Sequence, residues 1–144
     1  MSKYLIHTDG GSRGNPGPAA IGVVIESADG SLKKEYGEYI GKTTNNDAEY
    51  QAVIFALKKI KLLIGKQTAS EAEIKVHVDS ELVERQLSGH YKIMDRNIQQ
   101  HFIEIWNMKM DFASVTFKHI PREDNSGADR LVNAVLDKEL NKLL

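Results

Sequence analysis

Apolar and polar residues alternate with a period of two in some stretches of the chain and recur with a period near 3.6 in others. The switches between these periods mark its elements. Tyr4, Ile6 and Thr8 alternate with Leu5, His7 and Asp9, which predicts a central strand over 4–9. Ile21, Val23 and Ile25 predict a second strand within 20–25. Asp29-Gly30 is a turn signal, so a third strand over 33–40 should return antiparallel to the second. From residue 46 the period lengthens. Ala52, Val53, Ala56, Leu57, Ile60, Leu63 and Ile64 make one stripe, predicting an amphipathic helix over roughly 46–64 that ends at Gly65.

Residues 66–72 are polar and read as a loop. Ile74, Val76 and Val78 then alternate with Lys75, His77 and Asp79 in a fourth strand, followed by a short helix over 80–87. A longer helix over 95–111 places Ile98, Phe102, Ile105 and Trp106 on one face, with Trp106 expected in the core. Val115, Phe117 and His119 form a last strand that Pro121 stops. From Ser126 a final helix turns Ala128, Leu131, Val132, Val135 and Leu136 inward. The order β-β-β-α-β-α-α-β-α is that of an α/β fold, an antiparallel unit extended through helical crossovers. Crossovers favour parallel pairing, so the strands ending at Asp9 and Asp79 should be parallel neighbours. Strand ends of this kind are where open α/β sheets place ligands.

Composition narrows the function classes. The 144 residues read as one domain, 1–144, and the net charge of -1 does not advertise a nucleic-acid binder. That balance changes if acids hold metal: two divalent cations on four carboxylates would shift the working surface to about +3. The absence of cysteine excludes disulfides and thiolate metal sites. With no apolar run of membrane-spanning length and no signal-peptide pattern, the chain reads as soluble and cytoplasmic. It is expected to be a monomer with no membrane association and no obligatory protein partner.

The candidate chemistry begins at Thr8-Asp9-Gly10-Gly11-Ser12-Arg13-Gly14-Asn15-Pro16-Gly17-Pro18. As a wide hairpin loop this stretch is ordinary. As a nucleotide phosphate loop it fails, because no Gly-Lys-Ser/Thr follows and the next element is a strand. As an active-site loop it needs further carboxylates. Glu49, Asp79 and Asp129 are the candidates, and each has a structural explanation of its own: Glu49 in a capping box opened by Asn46, Asp79 as the cap of the helix after it, Asp129 in a capping box opened by Ser126. Taken together, two acids end adjacent strands and two lie in first turns of helices packed on that sheet. Four converging carboxylates repel, by about 4 kcal/mol for a pair 4 Å apart at an effective dielectric near 20, and a cation relieves the repulsion. All-oxygen ligands suit a hard ion such as Mg²⁺ or Mn²⁺.

The glycine-rich loop, Thr44-Asn45-Asn46-x-x-Glu49, Asp79-Ser80 and Asn125-x-x-x-Asp129-x-Leu131-x-Asn133 together resemble type 1 ribonuclease H, in order and over nearly the whole chain. The resemblance implies a ribonuclease H-like α/β fold with a five-stranded mixed sheet, strand order 3-2-1-4-5, flanked by helices. It implies an endonuclease that cuts the RNA strand of RNA–DNA hybrids by a two-metal mechanism, with two Mg²⁺ ions per site, Mn²⁺ substituting, and 3′-hydroxyl and 5′-phosphate ends. Carried over by motif, Asp9, Glu49, Asp79 and Asp129 are the metal quartet. His119, ten residues before Asp129, assists proton transfer or product release. Gly11, Ser12, Arg13 and Asn15, with Thr44, Asn45 and Asn46, form the hybrid-binding surface. The chain departs from longer bacterial relatives, since Leu87 to Lys92 passes almost directly into the next helix where they insert a basic segment. Lys92 is one of the few cations left there, and the chain resembles the short branch of the family. His7 and His77 read as polar sheet residues. A catalytically inactive binding module of the same fold is the alternative, and a complete acid quartet argues against it.

Overall fold

The computed structural model describes residues 2–142. Five strands form one sheet: β1 (Lys3–Ser12), β2 (Gly17–Ser27), β3 (Lys33–Thr43), β4 (Glu73–Val78) and β5 (Ser114–His119), in the order β3-β2-β1-β4-β5. The first three are antiparallel neighbours, while β1–β4 and β4–β5 are parallel. This is the mixed sheet that the motifs implied. The helices are α1 (Asn45–Ser70), α2 (Glu81–Leu87), α3 (Arg96–Lys109) and α4 (Ser126–Asn141), with a single 3-10 turn at Arg122–Asn125. None of the described helices is long and apolar enough to cross a membrane.

The main core lies between the sheet and α1. There Tyr50, Val53, Leu57 and Ile60 meet Ile6, Val23, Ile74 and Val76, and α3 closes the side with Ile98 and Ile105. A smaller cluster, Ala20 with Val132 and Leu136, sits under α4 on the other face. Helices cover β2 from both sides, and every residue of Ala19–Ile25 is buried in consequence.

Three expectations change. Helix α1 does not end at Gly65. That residue breaks it, with φ 85° and ψ 161°, and the chain resumes helical form to Ser70. Only Ala69 of the resumed turn is buried, too little to leave a periodic signal in 66–72. Leu63, counted in the apolar stripe, is exposed. Trp106 is 49% exposed rather than core. At about 100° per residue, Ile105 lies about 20° from Ile98 around the helix, but Trp106 lies about 80° away, past the edge of the buried face. It stacks instead on Phe102, with Lys109 over its ring.

Candidate active site

Strands β1 and β4 pair from Lys3↔Glu73 to His7↔His77 and no further. Two residues beyond that last pair stand Asp9 and Asp79. The sheet therefore parts at the level of the two acids. Asp9 is not the end of its strand, as the sequence suggested, because β1 continues against β2 to Ser12 with Asp9 opposite Gly22.

The absence of two side chains brings both helical acids to this gap. A Cβ on Gly10 would overlap the backbone of Ala48 and Glu49, and one on Gly22 would overlap the carbonyl oxygen of Ala128. At neighbouring positions on opposite faces, the sheet backbone is thus in direct contact with the first turn of α1 and the first turn of α4. Each acid follows one of those alanines: Glu49 follows Ala48, and Asp129 follows Ala128.

None of the three local explanations holds. Thr44 caps α1, its Oγ1 accepting from the Asp47 N–H at 3.2 Å. Ser80 caps α2 by accepting from the Val83 N–H. At α4 no side chain caps the helix. The carboxylates are free for other work. Ligand atoms of Asp9, Glu49 and Asp79 all lie within 4.8 Å of one another. Asp129 lines the same cleft of about 320 Å³. Its carboxylate accepts from Arg122 Nη2 at 3.4 Å and from Asn133 Nδ2 at 3.3 Å.

Burial, then the charges of Asp79 and Asp129, push the Asp9 carboxyl up to about 7. Burial, then Asp9 and Asp79, raise Glu49 well above the usual carboxylate range. Glu49 Oε2 is buried and has no hydrogen-bond partner. An orphaned acceptor among converging like charges, all of them oxygen donors, fits a hard divalent cation.

The expected nucleic-acid residues divide. Ser12, Asn15 and Asn45 form one unit: the Ser12 N–H donates to Asn45 Oδ1 at 2.9 Å, and the Asn45 N–H donates to Asn15 Oδ1 at 3.0 Å. Gly11, Ser12, Arg13 and Asn45 line the acid cleft. Thr44 is exposed and Asn46 half-buried beside them. Arg13 is pinned to α4 by Asp137 at 2.7 Å. Lys92 is exposed on the loop after α2, away from the cleft lining, with its carbonyl accepting from Gln86 Nε2. His119 is exposed at the end of β5, opposite Val78 and thus one residue from the level of Asp79, and does not line the cleft.

Sequence reasoning missed Asn125 as a site residue. It is 1% exposed, and its Nδ2 donates to the Thr8 carbonyl at 2.8 Å and to Asp79 Oδ2 at 2.9 Å. It bridges the gap left where β4 departs. Its place in the Asn125-x-x-x-Asp129 motif was the available signal. Arg122, the exposed partner of Asp129, had none.

A profile of the family described as "Reverse transcriptase-like" matches residues 7–135. LC11-RNase H1, crystallised in complex with an RNA/DNA hybrid, is 46% identical and superposes with a TM-score of 0.89 over 95% of this chain and 99% of that one. The chain belongs to the type 1 ribonuclease H family. Ribonuclease HI of Halobacterium salinarum is 40% identical over 129 residues, 90% of this chain but 62% of that protein. A bifunctional protein of Mycobacterium tuberculosis is 37% identical over 136 residues, 94% of this chain and 36% of its own length. The chain therefore spans less than two thirds of the length of these last two relatives.

Proposed function

We propose that this chain is an endonuclease that hydrolyses the RNA strand of RNA–DNA hybrids. The observation that carries the reading is the convergence of Asp9, Glu49 and Asp79 at the parting of β1 and β4, with a buried Glu49 oxygen left unpaired. Asp9, Glu49, Asp79 and Asp129 would hold two Mg²⁺ ions, with Mn²⁺ able to substitute. The chemistry such ions supply is activation of water and stabilisation of the leaving oxygen of a phosphodiester. In hydrolysis the water oxygen bonds to phosphorus, the bond to the 3′ oxygen breaks, and that oxygen takes a proton. The products are a 3′-hydroxyl and a 5′-phosphate.

The remaining residues bind and orient. Asn125 fixes the Asp79 carboxylate, and Arg122 with Asn133 fixes that of Asp129. The unit of Ser12, Asn15 and Asn45 offers amide and hydroxyl groups beside the cleft, the kind of group that reads a 2′-hydroxyl. Thr44 and Asn46 extend that surface, and Lys92 is a more distant phosphate contact. His119, at the strand end beside the level of Asp79, assists proton transfer or product release. The domain would act as a cytoplasmic monomer.

The test is incubation of end-labelled hybrid, duplex RNA and duplex DNA with Mg²⁺. Internal cuts are expected in the RNA of the hybrid, and one 2′-deoxynucleotide at a cut should slow that cut strongly. His119→Ala should lower turnover without abolishing it. Equal cutting of duplex DNA would refute the assignment.

A further inference from the structure

One buried charge takes no part in that chemistry. Asp47 is 4% exposed, and four donors fill its carboxylate. Oδ1 accepts from Asn97 Nδ2 and from His101 Nε2, the latter at 2.7 Å. Oδ2 accepts from Thr43 Oγ1 at 2.9 Å and from Gln51 Nε2. The donors come from the end of β3, from α1 itself and from successive turns of α3. His101 also stacks on Tyr50 of α1, whose hydroxyl donates to Gln86 of α2 at 2.8 Å. Farther along α1 the polar ties are partly exposed ion pairs, Lys58–Glu104 to α3 and Lys61–Asp111 to the turn just beyond it.

Two residues before Asp47, the same helical turn holds the glycine-rich loop through Asn45, which accepts from Ser12 and donates to Asn15. The first turn of α1 is thus tied to the loop on one side and to α3 on the other. Removing Asp47 would release the second tie and leave the first.

The geometry points to Asp47 as a positioning residue for hybrid binding: by clamping α3 to the first turn of α1, it fixes the amides of Asn45 and Asn46 in the arrangement that meets the nucleic acid. This rests on the proposed hybrid substrate. Asparagine is the informative replacement. It keeps the size of Asp47 but removes its charge and one acceptor oxygen, so the two partners on that side must turn an acceptor toward the new N–H₂ or lose their bond. The four-donor arrangement would be lost and the clamp loosened while Thr44 still caps the helix. Displacement of a binding group by a fraction of an ångström is enough to weaken recognition.

The test compares wild type, Asp47→Asn, Asn97→Ala, His101→Ala and the Asp47→Asn/Asn97→Ala double variant in hybrid cleavage at 25 °C, with thermal melts of each. Asp47→Asn is expected to raise KM by about tenfold with a much smaller change in kcat. Asn97→Ala and His101→Ala should raise it less. The double variant should match Asp47→Asn, because both changes open one clamp. A purely structural role would lower the melting temperatures and leave KM unchanged, which would overturn the proposal. So would a fall in kcat at constant KM, or independent, multiplying effects in the double variant. If Asp47→Asn does not fold, the KM of Asn97→Ala and His101→Ala decides by the same criterion. Should wild type cut no hybrid, the functional reading fails. Hybrid affinity of the same variants in Ca²⁺ then replaces KM as the measure of Asp47.

Discussion

Asp9 carries the largest consequence at the scale of single residues. Its carboxyl, ordinarily near 3.8, rises to about 7 in the folded chain because it is buried and faces Asp79 and Asp129. The folded state therefore keeps a proton that the unfolded chain has lost. Stability from this group is fully present below pH 3.8 and is lost as pH rises to about 7. Melting in EDTA should show that decline across the window, and Mg²⁺ should reverse it at the neutral end. Asp79→Asn removes a like charge without removing a cap, since Ser80 caps α2. This variant should lose cleavage, melt higher than wild type in EDTA, flatten the decline with pH, and gain less from Mg²⁺. If millimolar Mg²⁺ stabilises neither protein, the four acids do not form the proposed site.

Among elements, the critical contacts are those of β1 with α1 at Gly10 and of β2 with α4 at Gly22. Alanine at either position would place a methyl group inside helix backbone, where no flexible side chain can yield. Each substitution is expected to cost about 3 kcal/mol or more, the upper end for overpacking. For a chain of this size that is a drop of about 10 °C in melting temperature. An unchanged melting temperature would mean that the helices do not rest on the sheet there. These contacts also show where the sequence was legible. Period changes placed Asp9 and Asp79 on adjacent parallel strands and Glu49 and Asp129 near the starts of helices; the strand pairing and helix bounds bear that out, although β1 runs on past Asp9 to Ser12. Local pattern could not tell which neighbour caps a helix, because Thr44 and Asn46, or Asp79 and Ser80, are all competent. Nor could it show Asn125 reaching Thr8 across 117 positions, or His101 reaching Asp47 across 54. Those pairings exist only once α3 and α4 have docked. Trp106 was misplaced because it lies about 80° from Ile98, at the rim of the helix face, where the period alone does not say how far the neighbouring surface reaches.

Charge belongs to the whole molecule. The net charge is -1, and several cations face acids: Arg13–Asp137, Arg130–Glu35, Lys58–Glu104 and Lys61–Asp111, at 2.7–3.1 Å. No dense basic stripe follows α2. Hybrid binding in Ca²⁺ should therefore rest on fewer than about six phosphate contacts, giving a slope of log affinity against log salt shallower than about -5. A steeper slope would reveal a basic surface that the charge distribution does not suggest. The glycine contacts matter at this scale as well, for mechanical reasons. Beside Asp9, at Gly10 and Gly22, main chain meets main chain on both faces of the sheet, α1 on one and α4 on the other, with no sheet side chain at the contact to act as a cushion. Elsewhere a helix can shift on the sheet by repacking side chains. Here any shift of α1 or α4 is delivered undamped to Glu49 or Asp129, so the spacing of the acids is as stiff as the backbone itself.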